Sequence, residues 1–418
     1  MDPTRYVHEI ATAARDAAAT LAVTRGERRD AACRACAQAL RDRAADIQAA
    51  NAKDLAQSEA FGLSDAMIKR LTLSEAKIEK MAAALEQIAD QVDPVGKAIA
   101  AYNRPNGLRI EKRRVPLGVV GIIFESRPNV TSDAAGLCLK SANACILRGG
   151  KEALHSNLAI AEALRAGIEA ADLPPAAVTV VETTDHDVVP ALARAEGLVD
   201  LIIPRGGEGL IRAVAEAATV PVIKHYSGNC HVYVHAAADL DMAEQICLNA
   251  KCQYPAVCNA AETLLVDAGV AEAFVPRIAT ALRDAGVELR GCERSRALFD
   301  DMTPAQDGDW SREYLDLVLA VKVIDDLDAA VAHINRYGST HTDAIVTTDI
   351  AAAERFVAGV DSSSVMVNCS TRFSDGGEYG LGAEIGISTD KLHARGPMGA
   401  EDLTTYKWIV TGNGHTRQ

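Results

Sequence analysis

Aromatic side chains make up only 4% of the 418 residues, although 49% of the chain is apolar. Burial must therefore rest on alanine, valine and leucine, which suits closely packed helices against parallel strands. Positive charge is in deficit too, with a formal net charge of −14. General nucleic-acid binding draws its affinity from cations that neutralise phosphates, so that class is disfavoured. A small polyanion can still be held by local arginines and backbone amides. The opening MDPTRYVHEI lacks the charged head and apolar core of a secretory leader. No apolar run approaches a membrane span; the longest, Val115 to Phe124, reads as one buried strand. The ten cysteines are accordingly expected as free thiols in a cytoplasmic protein. Cys33 and Cys36 form the one CxxC pair, and no second pair of ligands follows. They read as core-facing thiols on a helix, not as a zinc site, and no metal is expected.

The length is too great for one core, so two or three domains are expected. Residues 4–92 carry apolar positions at three-and-four spacing and read as helices, with Ser64 and Ser74 as N-caps. Residues 93–114 read as a linker and an extended hairpin. From Val115 the texture changes to short β-branched runs between alanine-rich helices. VPLGVVGIIF, ACILRGG, AVTVVE, VDLIIPRGG and VPVIK are the expected strands, and βαβ units in a parallel sheet follow. A second set begins after Cys258 with ETLLVD, LAVKVI and DAIVTT. The tail from Val365 is glycine-rich and closes on KWIV. Ligands of such sheets bind beyond the carboxyl ends of the strands.

Cys258 stands in KCQYPAVCNAAETLLV, after a helix-like stretch and a proline-containing turn, and before an apolar strand. Such a junction can hold a nucleophile, provided the surroundings activate a thiol whose ordinary pKa is ~8.5. An inert buried cysteine is the bland alternative. Arg148-Gly149-Gly150-Lys151 and Arg205-Gly206-Gly207-Glu208-Gly209 both end strands. Their glycines suit a backbone that approaches a phosphate, yet neither matches GxGxxG, and ordinary strand-end turns explain them equally well. Asn129 in FESRPNVT suits either an oxyanion donor or a helix cap. His225 and His341 can orient groups or titrate, or be ordinary core and surface histidines.

The segments RRVPLGVVGIIFESRPNVTSDAAGLCLKSANACILRGGKEA, CQYPAVCNAAETLLV, AHINRYGSTHTDAI, STRFSDGGEYGLGAEIGIS and KLHARGPMG resemble the gamma-glutamyl phosphate reductase family of the aldehyde dehydrogenase superfamily. The resemblance runs in order over nearly the whole chain. It implies an α/β, aldehyde dehydrogenase-like fold with a Rossmann-like cofactor domain over residues 1–255, in which 95–114 belong to an oligomerisation arm. A catalytic domain over 256–365 and a return segment with an oligomerisation strand over 366–418 complete the implied organisation. Implied chemistry is NADPH-dependent reduction of L-glutamate 5-phosphate to the semialdehyde through a thioester on Cys258, in proline biosynthesis. Asn129 would hold the oxyanion, and Arg148, Gly149, Lys151, Gly206 and Gly207 the NADPH/NADP+. Arg127, Arg372 and Arg395 would bind substrate unless they are structural salt bridges, with Arg372 favoured by its glycine-rich surroundings. A homo-oligomer, and an association with glutamate 5-kinase, are the implied partners. Hydrolytic aldehyde dehydrogenases carry a general-base glutamate where this chain has Lys224-His225-Tyr226-Ser227-Gly228-Asn229, without one. The alternatives are a CoA-acylating or hydrolytic aldehyde dehydrogenase, or an inactive scaffold, though a scaffold would be expected to lose Cys258.

Overall fold

The computed structural model describes residues 2–417 (Ala66 by its backbone alone). Contacts divide the chain into two compact units. The first comprises Met1–Lys224, Gly380–Gly386 and Leu392–Gln418, and the second His225–Tyr379 and Ile387–Lys391. Residues 225–255, which the sequence reading groups with the cofactor domain, fold within the second unit. No helix among the described residues is long and apolar enough to cross a membrane. All ten cysteines are free thiols.

The first unit opens with helices Pro3–Val23, Gly26–Asp42, Ala44–Leu55, Asp65–Leu71 and Glu75–Asp90. Ser64 and Ser74 cap the last two through the amides of Met67 and Lys77, as their spacing predicts. Cys33 and Cys36 are buried on the core face of Gly26–Asp42, and burial pushes both thiols up. A four-stranded parallel sheet follows, in the order Val178–Val180, Ala144–Arg148, Val119–Phe124, Leu201–Arg205. The expected single strand over Val115–Phe124 is two. Arg109–Pro116 runs antiparallel between Ala98–Asn103 and Thr404–Thr411, and Val119–Phe124 joins the parallel sheet. Pro116 cannot donate to a ladder, and Gly118 takes a φ of 130°, open to glycine alone. The expected strand VPVIK contributes only the bridge Ile202–Val222, because Pro221 also lacks an N–H.

The second unit is a wholly parallel seven-stranded sheet. Its order is Thr303–Pro304, Glu288–Gly291, Val318–Ile324, Ala261–Asp267, Cys230–Val234, Thr342–Val346, Ser364–Val367. Successive residues of a strand face opposite sides, so Val232, Leu264 and Val266 pack with helices Leu240–Cys252 and Ala268–Asp284. Tyr233, Leu265 and Ile345 pack with Leu327–Tyr337 and Ile350–Gly359 on the other side. Both faces are covered, which explains strands that read as unbroken apolar runs.

A Lys–Glu ion pair is fully buried inside this unit. Lys251 Nζ donates to Glu262 Oε2 at 2.6 Å with neither side chain exposed, and Glu262 Oε1 accepts from the Leu315 amide at 3.2 Å. Burial pushes the Glu262 carboxyl up while Lys251 pulls it down. Removing one partner leaves the other buried alone, so Lys251→Met should lower the unfolding free energy in urea by about 3–5 kcal/mol. Adding Glu262→Leu should recover most of the loss. A single replacement costing under about 1 kcal/mol would show that the pair behaves as an exposed one.

Candidate active site

Cys258 occupies the turn between helix Leu240–Cys252 and strand Ala261–Asp267, the junction its sequence context predicts. Its carbonyl lies against the backbone of Gly228, where a Cβ would come within 1.8 Å of the oxygen. No other residue fits at 228 with the loop in place. Cys230 Sγ donates to the same carbonyl at 3.2 Å. Asn229 Nδ2 donates at 2.8 Å to the carbonyls of both Trp310 and Tyr337. On the other side, Asn259 Nδ2 donates to Ser374 O at 2.9 Å and Arg372 O at 3.4 Å. The loop that carries the thiol is thus tied to two further segments.

Two histidines meet this thiol. The ligand atoms of His225, Cys258 and His341 all lie within 4.8 Å of one another, and the two rings stand edge to face, 5.6 Å apart at 67°. His341 is buried, with Nδ1 2.9 Å from Thr342 Oγ1 and 3.7 Å from Cys230 Sγ. The stretch noted for its missing glutamate therefore brings an imidazole near the thiol. All three donors sit on the amino-terminal side of strands, because His225, Cys258 and His341 precede Cys230–Val234, Ala261–Asp267 and Thr342–Val346.

The first unit is open at the carboxyl ends of its strands. A cavity of ≈ 520 Å³ opens beyond the carboxyl ends of Val119–Phe124 and Ala144–Arg148, lined by Phe61, Leu63, Met67, Glu125, Arg148, Gly150, Lys151 and Leu210 among others. Its apolar walls suit a planar base and its two cations suit phosphate, so the residues present fit a dinucleotide. Lys151 Nζ lies 5.1 Å from the Phe61 ring centre. Arg148 Nη1 donates to Gly149 O at 3.0 Å, and burial lowers its pKa. Gly206 and Gly207 precede helix Glu208–Ala217, but the Gly207 amide already donates to Glu125 Oε2 at 3.0 Å. A phosphate at that helix end would have to displace the Glu125 carboxylate.

Asn129 begins helix Asn129–Lys140 and is exposed; its Nδ2 donates to Asp133 Oδ2 at 3.0 Å. An amide nitrogen has two N–H groups, so a second donor remains for a ligand. Burial pushes Asp133 up to about 6, with the Asn129 bond opposing. Arg127, also exposed, and Arg395, half-buried, belong to the first unit, and Arg372 to the second with Cys258. Arg372 Nε donates to Gln253 Oε1 at 2.8 Å. Burial lowers its pKa, and Cys258 and Asp375 pull the other way.

The Aldehyde dehydrogenase family profile matches residues 3–291. A gamma-glutamyl phosphate reductase of Thermobifida fusca is 54% identical over 416 residues, 100% of both chains. One from Moorella thermoacetica is 54% identical over 405 residues, 97% of both. The crystal structure of gamma-glutamyl phosphate reductase from Thermotoga maritima matches at TM-score 0.96 and 43% identity, over 99% of this chain and 100% of that one. Motifs, fold and full-length identity agree: the chain belongs to the gamma-glutamyl phosphate reductase family, within the oxidoreductases of the aldehyde dehydrogenase family.

Proposed function

We propose that the chain reduces L-glutamate 5-phosphate to L-glutamate 5-semialdehyde with release of phosphate, the second step of proline synthesis from glutamate. The observation that carries this reading is the Cys258 thiol, whose sulfur lies within 4.8 Å of a ring nitrogen of both His225 and His341. Cys258 Sγ attacks the acyl carbon, with His225 or His341 taking the thiol proton at a ring nitrogen. The developing oxyanion accepts hydrogen bonds from the Cys258 amide and from Asn129 Nδ2. Arg372 holds an anionic group of the substrate, with Arg127 and Arg395 as further anchors. Phosphate leaves with the bonding pair and a thioester remains on Cys258. Arg148, Lys151 and the turns at Gly149, Gly206 and Gly207 would hold NADPH, which would supply the hydride for reduction of this thioester. Collapse of the resulting thiohemiacetal breaks the C–S bond and returns Cys258.

The first unit acts in this proposal as the cofactor domain, the second as the catalytic domain, and the three-stranded sheet as an oligomerisation arm. Ile99, Tyr102, Tyr406, Trp408 and Val410 on that sheet are exposed, which suits coverage by a second copy. A cytoplasmic location, and delivery of the labile substrate from glutamate 5-kinase, fit the same chemistry.

Four outcomes test the proposal. Semialdehyde oxidation with NADP+ should require phosphate or arsenate and stall after about one turnover per thiol without it, because reduced cofactor forms once before the thioester waits for an acceptor. Cys258→Ser should lose several orders of magnitude while Cys252→Ser keeps its rate. Sustained phosphate-independent release of glutamate would show that an imidazole activates water, and would place the chain with hydrolytic enzymes. Asn129→Ala should slow both directions about 10²-fold; an effect in one direction only would remove Asn129 from the shared oxyanion. Lys151→Ala should raise KM for NADPH far more than for NADH if the ammonium pairs with the 2′-phosphate. Parallel rises would leave Lys151 with its place over Phe61 as its role.

A further inference from the structure

We propose that His225, Cys258 and His341 form a three-donor site for a borderline-soft divalent cation of the zinc type, bound in competition with substrate. Two imidazole nitrogens and one sulfur, with no carboxylate in the cluster, match the donors that zinc and cobalt prefer. The same set excludes magnesium and calcium, which demand oxygen. The donor atoms lie within 4.8 Å of one another, against about 3.5 Å between neighbouring ligands of a tetrahedral zinc. Small side-chain rotations close that gap. Three protein ligands leave a fourth position for water, the arrangement of an exchangeable cation rather than of a structural one.

The surroundings suit such exchange. His341 is buried and stands 2.9 Å from Thr342 Oγ1, a contact of the kind that orients an imidazole behind a metal. His225 and Cys258 are half-buried, so an ion reaches them from solvent. The Cys258 loop is tied through Gly228 and Asn259, so the sulfur is presented in one place. On binding, the thiol proton passes to solvent and a sulfur lone pair is shared with the ion. That pair is then withheld from the acyl carbon, so cation and acylation exclude each other. This last consequence rests on the thioester mechanism proposed above; the binding rests only on the three donors.

The test is titration of the reduced, metal-stripped full chain with Co²⁺ alone, followed by absorption. One equivalent should produce a near-ultraviolet sulfur-to-cobalt charge-transfer band together with the visible bands of four-coordinate cobalt. Cys258→Ser should abolish the charge-transfer band, and His225→Ala and His341→Ala should each weaken binding about 100-fold or more. Cys252→Ser should leave the spectrum unchanged. If circular dichroism shows that His341→Ala is unfolded, the half-buried His225→Ala decides. A band that survives Cys258→Ser, or an affinity indifferent to the histidine variants, overturns the site. Loss of turnover in Cys258→Ser without any cobalt band in the parent chain also overturns it, and leaves the thioester reading standing. A cobalt band that depends on Cys258, in a chain whose Cys258→Ser variant turns over normally, retains the site and removes the thioester.

Discussion

The backbone contact between Gly228 and Cys258 is the constraint on which the second unit's chemistry depends. The Cys258 carbonyl takes the space of a side chain at 228. Two loops from neighbouring strands can therefore approach as closely as two bare peptides. His225 lies three residues before that contact and Asn229 one residue after it. The carbonyl that fills the space also accepts from Cys230, and Asn229 anchors the same segment to Trp310 and Tyr337. A side chain at 228 would move the nucleophile, its neighbouring imidazole and these anchors together.

Charge around the thiol is arranged by occupation of the carboxylates. Glu262 is committed to Lys251 inside the fold, and Glu313 accepts from the Gly228 amide at 2.9 Å. Neither belongs to the cluster formed with Cys258, which holds only imidazoles. Asp375 is the fixed acid that acts on Arg372 there, and an anionic substrate group would add to it. The first unit shows the opposite arrangement, with the carboxylates of Glu125 and Glu152 already bonded to the Gly207 and Ser126 amides beside cationic Arg148 and Lys151.

Much of this was legible in the chain itself. Unbroken apolar runs revealed the parallel strands, serine caps set two helix starts, and a helix, a proline turn and a strand framed Cys258. The failures have identifiable causes. Pro116 and Gly118 carried the signal that splits the run at Val115–Phe124, but strand-like composition on both sides masked it. Strand Cys230–Val234 was passed over because it is short and its second residue is histidine, which moved the expected domain boundary to 255/256. His341 reaches Cys258 only because strands Cys230–Val234, Ala261–Asp267 and Thr342–Val346 are neighbours in the sheet. No local pattern records that adjacency. The bond from Gly207 to Glu125 is likewise a tertiary event, since a carboxylate and a phosphate compete for the same amide.

The interleaving of the two units bears on how the chain acquires its shape during synthesis. Strand Arg109–Pro116 leaves the ribosome before the second unit is made, yet one of its two neighbours, Thr404–Thr411, leaves only after it. Arg114 waits as long for Glu401, and Asn143 for the carbonyl of Leu403. The second unit, nearly continuous in sequence, can close on its own strands while the first still lacks an edge. The unit begun first is therefore finished last. Its exposed, half-paired hairpin is the segment most open to mispairing in the interval, and a slow, high-contact-order closure ends the process.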